Sequence, residues 1–337
     1  MTTNIKYVPA NFKSDQYVRW CPGCGDHAVL ATLHKAMASV GIAPKDTAVI
    51  SGIGCSSRLP YYMNAYGFHT IHGRAAAIAT GVKTANPRLN VWVVTGDGDC
   101  LAIGGNHFIH AVRRNVDLNF MLFNNKIYGL TKGQYSPTTE RGTVTKSSPY
   151  GTVEDPFIPA ELALGARGTF FARAIDADLK SCEKMMVSAS NHKGASVVEV
   201  LVNCVIFSDG VHKPIVDRPV RPERTILLQH GAKMIFGDGN KKGLVLDGLK
   251  LKAVTIGEDG YTLDDILVHD ETTADPTMHM MLAMMRDDMP LALGVIRNVD
   301  APVYDQCVEA QIAEIQEKNP TRKLVDFLMQ GDVWEVK

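Results

Sequence analysis

No run of apolar residues in this 337-residue chain reaches the roughly 18–20 needed to span a bilayer as a helix, so the sequence argues against a membrane-spanning protein. The N-terminus, MTTNIKYVPANFKSD, lacks the apolar core of an export signal. An excess of one charge is missing too. With 35 basic and 36 acidic residues the formal net charge is −1, which gives no reason to invoke nucleic acid or an anionic membrane. The seven cysteines are an odd number in a chain without an export signal. That argues against a disulfide framework and for reduced thiols or metal ligands, with the cytoplasm as the expected compartment. A second C-x-x-C is absent, which argues against a self-contained four-cysteine zinc ribbon. There is no internal repeat.

What is present is organised around residues 91–134, VWVVTGDGDCLAIGGNHFIHAVRRNVDLNFMLFNNKIYGLTKGQ. The stretch opens on a β-branched apolar run at 91–94, suited to a buried parallel strand. The turn Gly96-Asp97-Gly98-Asp99 follows, then a helix-like segment to about Arg114. A second apolar run at 118–123 ends in Asn124-Asn125. A right-handed strand–helix–strand unit puts both strand ends at one edge of the sheet, where open α/β sheets bind ligands. Asp97 and Asn125 offer hard oxygens suited to Mg2+, whose octahedron substrate phosphates complete. Gly96 and Gly98 permit close backbone approach, and the N–H groups opening the helix can receive a diphosphate. A lone GDG is a common turn. GDGD, 24 residues, then Asn-Asn on a second strand is far narrower, and it resembles the Mg2+–diphosphate motif of thiamine diphosphate enzymes. The fold class expected is α/β, a parallel sheet with helices on both faces.

Upstream, Cys21-Pro22-Gly23-Cys24-Gly25-Asp26 stands before a segment with Val29, Leu33, Ala36, Met37 and Val40 at helical spacing and Gly41 as its stop. Two thiols three residues apart fit zinc, an iron–sulfur cluster or a redox disulfide equally well. Further ligands must come from distant single cysteines. Cys55, in the loop after a strand at 47–51, and Cys204, after a strand at 197–202, stand at strand ends and would complete the four thiolates usual for a [4Fe–4S] cluster. Cys182 and Cys307, in helix-like segments, and Cys100, after the glycine turn, read as buried packing residues.

The ordered motifs CPGCGDH, SGIGCSSR, IHGRAAAIATGVK, GDGDCLAIGGNH, NNKIYGLTKGQYSPTT and the late Cys204 resemble the β subunit of a 2-oxoacid:ferredoxin oxidoreductase over roughly residues 15–210. The resemblance implies a thiamine diphosphate-binding fold at 15–205. In it Cys21, Cys24, Cys55 and Cys204 hold a [4Fe–4S] cluster. Asp97, Asn125 and the Ile127 carbonyl would hold Mg2+. Gly96, Asp97, Gly98, Asp99, Asn125, Lys126, Ile127, Tyr128, Gly129 and Leu130 would meet the diphosphate and its surroundings. Asp26 is implied near the cofactor, although some relatives carry glutamate there. His72, in the H-G-R turn, is either near the cofactor or a hydrogen-bonded structural histidine.

The resemblance further implies that the catalytic glutamate and the pyrimidine-binding domain come from an α subunit. The chain is too short for both thiamine-binding domains, so an active site at a subunit interface is expected, inactive in this chain alone. Thiamine chemistry on a 2-oxoacid releases CO2. With a cluster adjacent, electrons leave singly toward a ferredoxin and the acyl group passes to coenzyme A, for which Arg58 is a candidate contact. Lys132, a few residues past the metal loop, would pair with the distal carboxylate of a dicarboxylic acid. That favours 2-oxoglutarate, converted to succinyl-CoA and CO2 or formed in the reverse direction, with pyruvate or broad 2-oxoacid use as the alternative. Two other readings stay open: a non-redox thiamine enzyme with structural zinc, and an electron-transfer module without catalysis.

Residues 138–159 form a polar, Pro- and Gly-rich stretch whose length suggests a functional or interface loop. Helical character at 177–192 leads into the strand before Cys204. Residues 206–337 are expected to be an extension covering the cluster or contacting the partner subunit. Within it, 207–221 reads as loop, 222–236 as helix, 243–256 as strand, 258–275 as an acidic exposed face, 278–289 as a packed methionine-rich helix and 305–318 as a surface helix.

Overall fold

The structure, a computed structural model, describes residues 6–258, 260–318 and 323–336. Six strands are laid down first: β1 (Thr47–Ser51), β2 (Tyr66–His69), β3 (Asn90–Gly96), β4 (Asn119–Asn124), β5 (Phe170–Ile175) and β6 (Ser196–Leu201). All pair in parallel. The later strands are β7 (Thr225–Leu228), β8 (Ile235–Phe236), β9 (Lys242–Asp247), β10 (Lys250–Thr255) and β11 (Leu291–Asn298). The main sheet runs β2-β1-β3-β4-β6-β5-β11-β7, and β10-β9-β8 form a small antiparallel sheet. Because β11 runs antiparallel to β5 and β7 parallel to β11, the extension adds two reversed strands to the main sheet.

Alternation along the strands divides the core. Ala48, Ile50, Val91, Val93, Phe120, Leu122 and Val197 face one side, with α2 (Ala75–Ala85), α4 (Gly105–Arg114) and α5 (Pro159–Gly165) packed on it. Val49, Trp92, Val94, Met121, Phe123, Val198 and Val200 face the other, under α1 (Asp26–Val40) and α6 (Leu179–Asn191). Strands buried on both faces read as continuous apolar runs for this reason. Among the described residues no helix is long and apolar enough to cross a membrane.

Four expectations change. The helix expected after the glycine turn is split into α3 (Asp97–Leu101) and α4, because Gly104 turns back to bond Asp99 O and packs against Gly73. Residues 222–236 are not a helix. One turn, Arg221–Arg224, ends where Thr225–Leu228 finds the open edge of β11, burying Ile226 and Leu228 and leaving Leu227 out. Residues 243–256 form two strands, turned at Gly248 with a φ of +61°, a conformation that favours glycine. Of the three cysteines read as packing residues, Cys100 and Cys182 are buried, but Cys307 is exposed, since its helix, Tyr304–Lys318, buries only Asp305.

Candidate active site

The carboxyl ends of β1, β3 and β4 surround a cavity of about 350 Å3. Its walls include Asp26, Cys55, His72, Gly96, Asp97, Gly98, Asp99, Asn125, Ile127, Tyr128, Gly129 and Leu130, some singled out by the sequence pattern and the others implied by the family resemblance. Strand β3 delivers the glycine turn and β4 delivers Asn125, as the right-handed crossover requires.

Asp97 is buried, and burial raises its pKa while hydrogen bonds pull it back. Ser136 Oγ lies 2.6 Å and Thr138 Oγ1 2.5 Å from Asp97 Oδ2. Both hydroxyls come from the SPTT segment, quoted within a family motif in the sequence reading but given no role there. Asn125 Oδ1 accepts from Ile127 N at 3.1 Å, a local turn that fixes the amide and leaves the oxygen a second lone pair. A carboxylate, an amide oxygen and the nearby Ile127 carbonyl form a hard-oxygen set fit for Mg2+. Asp99 does different work. Its Oδ1 accepts from Gly73 N at 2.8 Å and Ile53 N at 3.1 Å, and its Oδ2 from Thr95 Oγ1 at 2.9 Å. It therefore pins the H-G-R turn and the Cys55 loop to β3. A β-carbon on Gly52 would lie 1.8 Å from that carboxylate, so only glycine fits there.

Cys55 lines this cavity, Cys24 and Cys204 lie close enough to its thiol to interact, and Cys21 acts on Cys55. Gly25 N donates to Asn203 O at 3.1 Å, tying the C-x-x-C loop to the residue before Cys204. Trp20 Nε1 donates to Cys55 O at 2.6 Å. A β-carbon on Gly129 would lie 3.6 Å from Cys204 Sγ and 3.8 Å from Cys55 Sγ. Burial pushes the Cys55 thiol up to about 11 and the Cys24 thiol higher still, with Asp26 and Cys204 adding to both. Thiolates here therefore need a cation among them. Among the described residues no three His, Cys, Asp or Glu side chains close to the spacing of a single-ion site. Asp26, buried between Cys24 and Asp176, has its pKa raised to about 7 by burial, and its Oδ2 has no hydrogen-bond partner.

Three basic candidates lie off the cavity wall. Lys126 turns its ammonium to Glu140 and lines the adjoining cavity. Lys132 is exposed, in the left-handed backbone region with a φ of 76°. Arg58 is exposed, its Nε donating to Tyr62 Oη at 3.2 Å. Ile71, Ile103 and Leu130 stand more than half exposed, Leu130 and Ile103 on the cavity wall and Ile71 beside His72.

Residues 52–200 match the family described as thiamine pyrophosphate enzyme, C-terminal TPP binding domain. The chain is 44% identical over 339 aligned residues to the 2-oxoglutarate oxidoreductase subunit KorB of Mycobacterium tuberculosis, covering 99% of this chain and 90% of that protein. It is 47% identical over 200 residues to the β subunit of 2-oxoacid:ferredoxin oxidoreductase 1 of Aeropyrum pernix, with 59% of this chain and 63% of that protein aligned. A solved structure of 2-oxoglutarate:ferredoxin oxidoreductase from Magnetococcus marinus, with 2-oxoglutarate, coenzyme A and succinyl-CoA bound, superposes with a TM-score of 0.75 at 33% identity, covering 96% of this chain and 97% of that one. Full-length kinship and a shared fold thus agree with the chemistry of the cavity, and the chain belongs to the β subunits of the thiamine-dependent 2-oxoacid:ferredoxin oxidoreductases.

Proposed function

We propose that the chain is the cofactor-bearing half of a 2-oxoglutarate:ferredoxin oxidoreductase. The net reaction would be 2-oxoglutarate plus coenzyme A plus two oxidised ferredoxins giving succinyl-CoA, CO2, a proton and two reduced ferredoxins, or its reverse. Asp97, Asn125 and the Ile127 carbonyl would hold Mg2+, and Gly96–Asp99 with Asn125 and Ile127–Leu130 would cradle the diphosphate. Cys21, Cys24, Cys55 and Cys204 would hold a [4Fe–4S] cluster. Thiamine supplies the carbanion-stabilising chemistry when bound, and the protein contributes position and electrostatics.

The observation that carries this reading is the approach of Cys55 and Cys204 to Gly129, whose loop also lines the oxygen-donor cavity. A cluster held by these thiols would stand as an electron acceptor beside the reacting carbon, which a thiamine lyase or synthase does not need. The apolar rim of Ile71, Ile103 and Leu130 suits an α subunit closing the cavity and bringing the catalytic glutamate. Two similar proteins, from Mycobacterium tuberculosis and Magnetococcus marinus, are 2-oxoglutarate oxidoreductases, which supports the same acid here. Lys132 would face the distal carboxylate once the partner covers it. Its exposure in this chain favours keeping broad 2-oxoacid use as the second reading.

The test is anaerobic co-expression with the α subunit, then iron, sulfide and thiamine diphosphate analysis and a dye-coupled assay with coenzyme A. About four iron per chain with turnover of 2-oxoglutarate supports the reading. A colourless zinc protein, or an iron protein without thiamine diphosphate, sinks it.

A further inference from the structure

A buried polar row crosses the sheet behind the cation loop, on a face that is otherwise apolar. Leu122 of β4 is opposite Glu199 of β6, and Glu199 is opposite Arg173 of β5. Asn124, two residues beyond Leu122, has its side chain on the same face. Asn124 Nδ2 donates to Glu199 Oε1 at 2.7 Å, and Arg173 Nε donates to Glu199 Oε2 at 2.7 Å. Arg173 Nη1 continues to Ala292 O of β11 at 3.1 Å. Toward the cavity, Thr138 Oγ1 stands 3.0 Å from Asn124 Oδ1 and 2.5 Å from Asp97 Oδ2. His212 Nε2 donates to the Asn124 carbonyl at 2.9 Å.

Stability does not account for the pair. Arg173 and Glu199 are each only 2% exposed, among Phe171, Leu122 and Val197. A buried ion pair at best breaks even against apolar side chains of similar volume. Orientation does account for it. The Glu199 carboxylate only accepts, so Asn124 must present its NH2 to Glu199 and its Oδ1 to Thr138. Thr138 has one hydroxyl proton, shared between Asn124 Oδ1 and Asp97 Oδ2, so the amide arrangement that Glu199 selects sets how that hydroxyl meets Asp97.

We propose that Glu199 is a positioning residue for the divalent-cation site, with Arg173 as its counter-ion and Asn124 and Thr138 as its links to Asp97. The inference rests on the reading of the cavity given above.

The experiment titrates Mg2+ into the apo complex with its α subunit at saturating thiamine diphosphate, following tryptophan fluorescence. In Glu199→Gln, the new amide satisfies the guanidinium with its oxygen and turns its NH2 on Asn124, which either stands donor against donor or flips and offers its own NH2 to Thr138; both change the contact between Thr138 and Asp97. The apparent Kd for Mg2+ should rise about 10–100-fold. The 2-oxoglutarate KM at saturating Mg2+ should not change. Because a lone guanidinium left buried can prevent folding, Arg173→Met/Glu199→Leu, which takes away both charges and leaves the Asn124 NH2 without its acceptor, carries the same test without it. A folded variant with wild-type Mg2+ affinity overturns the proposal. So does a double variant that cannot fold, since the pair would then act on stability. A wild-type complex that takes up no Mg2+–thiamine diphosphate instead sinks the reading of the cavity.

Discussion

The ring of Tyr128 lies where a side chain on Gly98 would begin: a β-carbon there would be 2.1 Å from Cε1. The Tyr128 hydroxyl also donates to Gly98 O at 3.0 Å. The two cofactor loops, 30 residues apart in the chain, are thus closed on each other by one contact that tolerates only glycine.

Gly98→Ala should therefore destabilise the chain by about 1–3 kcal/mol, the usual range for overpacking a tight site. Thermal melting checks it. Adding Tyr128→Ala should recover most of that loss, because it removes the colliding ring. A double variant as unstable as the single one would mean that the clash lies elsewhere.

Cys204→Ser should lower iron and sulfide below four per chain and reduce ferredoxin-linked turnover at least about a hundredfold, the order of loss when a metal ligand goes. Cys182 is buried in α6, one turn beyond the N-cap Asp178, and Cys182→Ser should keep its full iron content. Elemental analysis of the two variants side by side decides the matter. Equal iron in both would remove Cys204 from the ligand set.

His212 is buried, and burial, helped by the Lys126 charge, lowers its pKa to about 4 despite its bond to the Asn124 carbonyl and the nearby Glu199 and Glu140. Above the unfolded value of about 6.5 the ring is neutral in both states and its contribution is fully present. As the pH falls, the unfolded chain takes the proton first, so stability is lost between about 6.5 and 4. At pH 5 the loss from this one ring is about 2 kcal/mol. Denaturant unfolding of wild type and His212→Gln at pH 7 and pH 5 should show their stability gap shrinking by about that amount. A gap that does not move with pH refutes the shift.

Lys132→Ala should lower kcat/KM for 2-oxoglutarate by about tenfold or more, the range for losing a charge-assisted contact, and leave pyruvate turnover as it was. The ratio of the two specificity constants is the measurement. An unaltered ratio would return the distal carboxylate to another residue, and with it the choice of substrate.

The short strands at 91–94 and 118–123, the glycine turn between them and the C-x-x-C before α1 were legible because each is a local pattern. β-branched runs, turn glycines and thiol spacing act over a few residues, whatever the rest of the chain does. The donor types at Asp97 and Asn125 carried their chemistry with them. The strands β7 and β11 were not legible, since Thr225–Leu228 is strand only because β11 offers an edge, and β11 only because β5 does.

The sequence by itself therefore determined the candidate edge and its donor types: one α/β unit, two oxygen-bearing side chains, four spaced thiols. Tertiary structure alone decided which side chains stand behind them. Ser136 and Thr138 reach Asp97 from a loop about 40 residues away, Lys126 turns from the cavity to Glu140, and Glu199 meets Asn124 because β6 was inserted beside β4. Strand order sets such neighbours. It is a property of how sheet edges find one another in space, and spacing along the chain does not encode it.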